Sequence, residues 1–317
     1  MKKTALLFPG QGSQYLGMGK VFIDADSDAA ALLDMAESIA KMPLRRLCFD
    51  GPLDELTRVL HLQPALTAVN LICWQQMKKV LPDLVPAWVA GHSLGEYSAL
   101  HAAEVLSAED TIALVTKRGQ LMERENAAHP GGMQAVLGLN IEEVEAALQQ
   151  YDGPGTVVVA NHNSPQQIII SGDQEGLESV AEICKAAGAK RVIPLKVAGA
   201  NHSPLVAGAV PDFAAFMEQI TFQSPKIPVL FNVTAAQETE PSAIRAIMAR
   251  QIASRVRWQE SIAQMIADGT EVFLELGPGS VLTGMMKKIL PAESNVVYLQ
   301  ADSPESLEKA AEVIQNA

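Results

Sequence analysis

The sequence has few cysteines and no long apolar run. Its three cysteines stand far apart without a CxxC spacing, which argues against a disulfide framework or a cysteine metal site and favours buried thiols in a reducing compartment. No stretch of 18 apolar residues occurs, so the sequence predicts no membrane-spanning segment. The apolar run Ala5–Phe8 is stopped by Pro9-Gly10 and is interpreted as a first core strand rather than a signal peptide. We therefore expect a cytoplasmic protein.

Basic residues are also fewer than acidic residues. The chain has 24 Lys and Arg against 36 Asp and Glu, a formal net charge of −12. Such a surface argues against non-specific nucleic-acid binding and against docking on anionic membranes. At 317 residues and 48% hydrophobic content, the chain is large enough for one big domain or for a main domain with an insertion.

The strongest local pattern is Gly91-His92-Ser93-Leu94-Gly95. The apolar run Val85–Ala90 precedes it and a run of good helix formers follows it, which is the strand, turn and helix order of a nucleophile elbow. Such a turn exposes the serine at its tip, and the N–H of Leu94 at the start of the helix can stabilise an oxyanion. The pattern favours a catalytic Ser93 over a structural turn.

The periodicity divides the chain into two kinds of region. Residues 131–196 show the order β-α-β-β-α-β, which predicts an inserted ferredoxin-like subdomain. Residues 1–130 and 197–317 then form the α/β core. Within the subdomain, Asn161–Pro165 is predicted to be a polar turn between two strands. Later in the chain, Val229–Val233 is predicted to be a strand and Gln63-Pro64-Ala65 is predicted to open a long helix.

A serine nucleophile needs a base, and six histidines are available. His202, in a loop of small residues after the subdomain, ranks first, and His162 ranks second. His92 is expected to support the turn, because adjacent side chains of an elbow point in different directions. No Asp or Glu near His202 is an evident third member, but a dyad whose imidazole is held by backbone carbonyls would work, because the third group only orients the ring and supports its charge.

Two other features stay ambiguous when taken alone. The loop around Gln11, after the first strand, fails the spacing of both common phosphate-binding loops, so a structural turn and a functional loop are equally open. Arg118 lies on a predicted helix, where an arginine is usually a solvated surface charge.

Taken together, eight ordered segments resemble the malonyl-CoA:acyl-carrier-protein transacylases. They are Phe8–Gln14, Gly91–Glu96, Arg118-Gly119 with Met122, Asn161–Pro165, His202-Ser203, Asn232–Ala235, Arg250–Ile252 and Glu275–Gly279. The resemblance implies an α/β-hydrolase-like core with a parallel sheet and an inserted ferredoxin-like subdomain. This agrees with the pattern of residues 131–196.

The resemblance also assigns roles to individual residues. It implies that Ser93 is the acyl-accepting nucleophile, His202 the base, and the N–H groups of Gln11 and Leu94 the oxyanion hole. Arg118 is expected to pair with the malonyl carboxylate, whose geometry suits a guanidinium. The further substrate-binding residues are predicted to be Gln251, Asn201, His92 and Asn161. Relatives often carry Phe or Ser where Asn201 stands, so the tolerance for branched acyl groups is left open.

The implied reaction is transfer of malonyl from coenzyme A to the phosphopantetheine thiol of an acyl carrier protein. It requires no metal and no tightly bound cofactor, and relatives are often monomeric. This transfer could serve either fatty-acid or polyketide synthesis. The alternatives are a hydrolase of the same fold that clears acyl groups from carriers, and a catalytically silent docking subunit.

Overall fold

The chain forms an α/β fold, and the structure, a computed structural model, describes residues 1–316. Its strands are β1 (Thr4–Phe8), β2 (Trp88–Gly91), β3 (Gly132–Leu137), β4 (Val157–Ser164), β5 (Gln167–Gly172), β6 (Arg191–Pro194), β7 (Val272–Leu276) and β8 (Val297–Ala301). Its α-helices are α1 (Lys20–Ala25), α2 (Ser27–Ala40), α3 (Leu44–Phe49), α4 (Leu53–Thr57), α5 (Val59–Val80), α6 (Gly95–Ala102), α7 (Ala108–Ala128), α8 (Ile141–Gln149), α9 (Gln174–Ala186), α10 (Ala209–Met217), α11 (Pro241–Gln251), α12 (Trp258–Ala267), α13 (Val281–Ile289) and α14 (Pro304–Gln315). Among residues 1–316, none of the helices is both long and apolar enough to cross a membrane.

The central sheet is parallel, with the strand order β2-β1-β7-β8. Helices cover both of its faces, which explains why β1 is a continuous apolar run. Leu6 and Phe8 point into the larger core, while Ala5 and Leu7 point into a second core that includes Trp258. The carboxyl ends of β1 and β2 therefore lie side by side, and the loops that follow them meet at one edge of the sheet.

The second sheet is antiparallel, with the order β4-β5-β3-β6. Helices α8 and α9 cover one face through residues such as Val144 and Leu177. The other face carries Met133 and Ile169, which line a cleft towards the central sheet. This is the strand order of a ferredoxin-like unit, so the predicted fold class is confirmed. The division of the chain at residues 130 and 196 stays a prediction.

Three local predictions differ from the structure. Asn161–Ser164 are the last residues of β4 and are buried, so the predicted polar turn at Asn161–Pro165 is wrong for all but its end. The predicted strand Val229–Val233 is reduced to isolated bridges of Val229 and Leu230, because the chain turns from Phe231, whose carbonyl accepts from the N–H of Ala235 at 2.8 Å. Helix α5 begins at Val59, ahead of the predicted start at Gln63, and contains Pro64.

Candidate active site

The turn between β2 and α6 presents Ser93 at its tip. Ser93 has a φ of 50°, in the left-handed region that is strained for a residue with a side chain. Gly91 and Gly95 permit the turn, since a Cβ on Gly91 would overlap the backbone of Gly95 and a Cβ on Gly95 would overlap the carbonyl of Phe8. The backbone therefore has the shape of a nucleophile elbow.

The side chain of Asn232 joins the two sides of this turn. Its Oδ1 accepts a hydrogen bond from the N–H of Ser93 at 2.7 Å, and its Nδ2 donates to the carbonyl of Gly91 at 2.7 Å. The backbone N–H of Asn232 donates to Oε1 of Glu96, also at 2.7 Å. All these groups are buried or nearly so. The bonds therefore stabilise the strained conformation of Ser93 without competition from water.

His202 lies against the nucleophile, with its Nε2 2.8 Å from Oγ of Ser93. Its Nδ1 lies 2.9 Å from the carbonyl of Ser254 and 3.1 Å from that of Gln251. Because both of these oxygens can only accept, Nδ1 carries the proton and Nε2 is free to accept the proton of Ser93. The imidazole is thus oriented by two backbone carbonyls instead of a carboxylate.

Burial, followed by the charge of Arg118 and the nearby His92, lowers the pKa of His202 to about 3, although the bonds to the two carbonyls oppose this shift. The imidazole is therefore neutral at pH 7, as a base must be before it takes a proton. His162, the second candidate base, lies elsewhere, with its Nδ1 3.2 Å from Oε1 of Glu260 on α12.

Arg118 is buried on α7, with 1% of its surface exposed. One nitrogen, Nη2, donates to Oγ of Ser93 and to Oε1 of Gln251, each at 3.1 Å. Its Nε has no partner within residues 1–316, where no carboxylate comes within salt-bridge distance of the guanidinium either. Burial lowers the pKa of Arg118, but a guanidinium stays protonated in proteins. The site thus holds a buried cation with no carboxylate in direct contact among residues 1–316.

Gln251 connects Arg118 with the elbow. Its Nε2 donates to the carbonyl of Ser93 at 2.7 Å and to Oε2 of Glu96 at 2.8 Å. Burial raises the pKa of Glu96 to about 7, opposed by its bonds to Asn232 and Gln251 and by the charge of Arg118. Sequence patterns alone did not assign roles to Glu96 and Asn232, although both lie in motif segments.

Two residues whose backbone N–H groups have no acceptor among the described residues line the same cleft as Ser93. Gln11 follows β1 and Leu94 follows Ser93, and both line the cleft. Their loops are in close contact, since a Cβ on Gly10 would overlap the carbonyl of His92 and lie 3.5 Å from the nitrogen of Leu94. Within residues 1–316, neither the N–H of Gln11 nor that of Leu94 donates a hydrogen bond. The pair is available for an oxyanion.

The cleft has a volume of about 510 Å³ and is lined by both sheets. Asn201 lies in its wall, with Nδ2 donating to the carbonyl of Ala198 at 3.2 Å and Oδ1 without a partner among the described residues. Asn161 lines it from β4. His92 also lines it, with Nε2 2.8 Å from Oδ1 of Asn163, a residue that had no predicted role. The structure thus brings the residues predicted for the site to this cleft, except that Gln251 is buried behind Arg118 and does not line the cleft.

Metal ligation has no basis in the described side chains. Within residues 1–316, no group of three or more His, Cys, Asp or Glu side chains is placed to hold a metal ion.

Known proteins similar to this chain match most of its length. The family model described as an acyl transferase domain matches residues 5–307. The chain is 38% identical to the malonyl CoA-acyl carrier protein transacylase of Bacillus subtilis (strain 168) over 316 residues, which are 99% of this chain and 98% of the relative. The chain belongs to the malonyl-CoA:acyl-carrier-protein transacylase family. The predicted family and enzyme class, an acyltransferase, are confirmed.

Solved structures of similar proteins agree with the fold of this acyltransferase. The acyl carrier protein S-malonyltransferase of Vibrio cholerae is 37% identical and superposes with a TM-score of 0.92, covering 97% of this chain and 99% of the other. A malonyl-transacylase in complex with its type II PKS acyl-carrier protein is 36% identical, with a TM-score of 0.93, and the match covers 98% and 99% of the two chains.

Proposed function

We propose that this acyltransferase moves malonyl from coenzyme A to the phosphopantetheine thiol of an acyl carrier protein, through an acyl intermediate on Ser93. The observation that carries the proposal is Arg118, a buried cation that contacts Oγ of Ser93 and has no carboxylate within salt-bridge distance among residues 1–316. An acyl group that ends in a carboxylate would complete this pair, and a simple acyl chain would leave it incomplete.

The first half of the cycle loads the serine. Neutral His202 takes the proton of Ser93 through Nε2, and Oγ attacks the thioester carbonyl of malonyl-CoA. The oxyanion lies against the N–H groups of Gln11 and Leu94, each of which contributes about 3–4 kcal/mol in comparable sites. The protonated His202 then returns its proton to the departing sulfur, and coenzyme A leaves as a thiol.

The charge on Arg118 links substrate choice to the base. Arg118 lowers the pKa of His202, which opposes proton transfer from Ser93. A malonyl carboxylate bound to Arg118 offsets this repulsion, so His202 becomes a stronger base when the acyl group carries a carboxylate. Acetyl groups supply no such charge.

The second half of the cycle reverses the first. The phosphopantetheine thiol enters the cleft, His202 removes its proton, and the thiolate attacks the malonyl ester of Ser93. Lys196 lines the cleft, and Lys190 and Lys288 line an adjoining groove, which supports an acidic carrier protein as the partner. The similar malonyl-transacylase that was solved with an acyl-carrier protein supports the same partner.

These steps use side chains and backbone groups of one chain. They need no metal and no tightly bound cofactor, since malonyl-CoA is the substrate and phosphopantetheine is carried by the partner. A single chain supplies the whole site, which supports a monomer as the active unit.

Radiolabelled malonyl-CoA tests the proposal. We expect label on the wild-type protein, no label on Ser93→Ala, and transfer of the label to a holo acyl carrier protein. Release of free malonate in place of transfer would instead indicate the thioester hydrolase. Absence of label from the wild-type protein would overturn both functions.

A further inference from the structure

We propose that Glu96 is a positioning residue that, together with the carbonyl of Ser93, sets the orientation of the Gln251 amide, holds Arg118 towards Ser93 through that amide, and thereby strengthens the preference for a carboxylated acyl group. The inference rests on the proposed function. Glu96 itself lies behind the elbow and contacts no substrate.

The argument starts from the two bonds that Glu96 accepts. Oε2 receives Nε2 of Gln251 at 2.8 Å, and Oε1 receives the backbone N–H of Asn232 at 2.7 Å. The side chain has 0% of its surface exposed, so water does not replace either partner. An ionised carboxylate can only accept hydrogen bonds. The amide of Gln251 must therefore turn its NH₂ group towards Glu96, and the carbonyl of Ser93, which accepts from the same Nε2 at 2.7 Å, favours the same orientation.

This orientation of the amide decides which atom of Gln251 faces Arg118. With Nε2 facing Glu96, the carbonyl Oε1 faces the opposite way and accepts from Nη2 of Arg118 at 3.1 Å. The same Nη2 lies 3.1 Å from Oγ of Ser93. If the amide were inverted, its NH₂ group would meet the guanidinium, and two donors would face each other in a buried site. Arg118 would then lose the acceptor that holds it beside the nucleophile.

The orientation of the Gln251 amide thus depends on the ionisation state of Glu96. Arg118 on α7 and Tyr97 on the same helix as Glu96 are the ionisable groups that face it, while α11 and the segment before it present the uncharged Gln251 and Asn232. Burial raises the pKa of Glu96 to about 7. Once protonated, the carboxyl can itself donate, and the orientation of the Gln251 amide is then set by the carbonyl of Ser93 without the help of Glu96.

Glu96→Gln tests the inference, because a glutamine offers only one acceptor to two donors. The rates at which malonyl-CoA and acetyl-CoA acylate Ser93 are measured, and each is divided by the fraction of protein that a fluorophosphonate labels. We expect the ratio of malonyl to acetyl rates to fall at least tenfold. Glu125→Gln is the matched control, since Glu125 is a buried glutamate on α7 that pairs with Arg124. Its ratio should stay at the wild-type value.

The wild-type protein provides a second measurement that does not depend on the folding of a variant. Its malonyl-to-acetyl ratio should fall as the pH is lowered through about 7, whereas His202, whose pKa is lowered by burial to about 3, stays neutral between pH 6 and 8. A ratio that is constant between pH 6 and 8, or equal losses of both rates in Glu96→Gln, would overturn the role of Glu96. A wild-type protein that takes no malonyl at any pH would overturn the proposed function instead.

Discussion

Replacing Arg118 by methionine removes the charge of the site while filling most of its volume. Two opposite effects are expected. Malonyl loading should fall, because the carboxylate is left in a buried site without its cation, and a broken buried pair costs about 3–5 kcal/mol. This corresponds to a loss of roughly a hundredfold to several thousandfold in kcat/KM.

The second effect concerns the base. Nη2 of Arg118 lies 3.1 Å from Oγ of Ser93, which lies 2.8 Å from Nε2 of His202, so the cation is about 6 Å or less from the imidazole. At an effective dielectric constant of about 20, Coulomb's law gives a repulsion of about 3 kcal/mol. Burial remains the larger cause of the low pKa of His202. Removal of Arg118 should therefore raise this pKa and move the acid limb of Ser93 reactivity up by about 2 pH units.

The assay has two parts. Acylation by malonyl-CoA and by acetyl-CoA gives the substrate preference, and fluorophosphonate labelling of Ser93 between pH 4 and 8 gives the acid limb without a carboxylated substrate. Lys117→Met is the control, since Lys117 is the adjacent cation on α7 but lies over the ring of Phe216. The reasoning is refuted if malonyl and acetyl loading fall in parallel, or if the acid limb of Arg118→Met coincides with that of the wild-type protein.

Three further substitutions test other parts of the site. His202→Gln should lower malonyl loading by about 10²–10⁴-fold with little change in the unfolding temperature, and wild-type-like loading would exclude His202 as the base. Asn232→Ala leaves the N–H of Ser93 and the carbonyl of Gly91 unpaired, so urea titration should show a loss of about 2–4 kcal/mol in the free energy of unfolding; an unchanged midpoint would contradict this role. The pKa of Glu96 is raised from 4.5 to about 7, so its contribution to stability is present below pH 4.5 and is lost as the pH rises towards 7. Glu96→Gln should therefore gain stability relative to the wild-type protein, by up to about 3 kcal/mol, as the pH rises through that window, and a constant difference would contradict it.

Local patterns were sufficient for most of the fold, because the relevant forces act within a few residues. The elbow is specified by two glycines and a helix start, and α8 is specified by the capping box at Asn140 and Glu143. The error at Asn161–Pro165 has a different origin. Polar residues in a row indicate a turn only if water is their partner. Here Asn163 faces His92 and Asn161 lines the cleft, so distant parts of the chain hold these residues within β4.

The same limit applies to the site. Ser93 was predictable from its own neighbours, and His202 could be ranked first from its loop. The burial of Arg118 could not be derived from its helix, because it follows from the packing of α6 and α11 against the site. Only the family resemblance supplied its role in advance. The absence of an evident carboxylate near His202 in the sequence leaves a dyad held by backbone carbonyls as a workable arrangement, and the Nδ1 of His202 contacts the carbonyls of Gln251 and Ser254.

The nucleophile and the carboxylate-binding group share one set of supports. The N–H of Ser93 is bound by Asn232 and its carbonyl by Gln251, and both of these residues are tied to Glu96. Gln251 also holds Arg118. A change at Arg118 therefore alters substrate choice while the elbow keeps its bonds, whereas a change at Gln251 disturbs both. The same hydrogen bonds therefore hold Ser93 in its strained conformation and keep the guanidinium of Arg118 beside it.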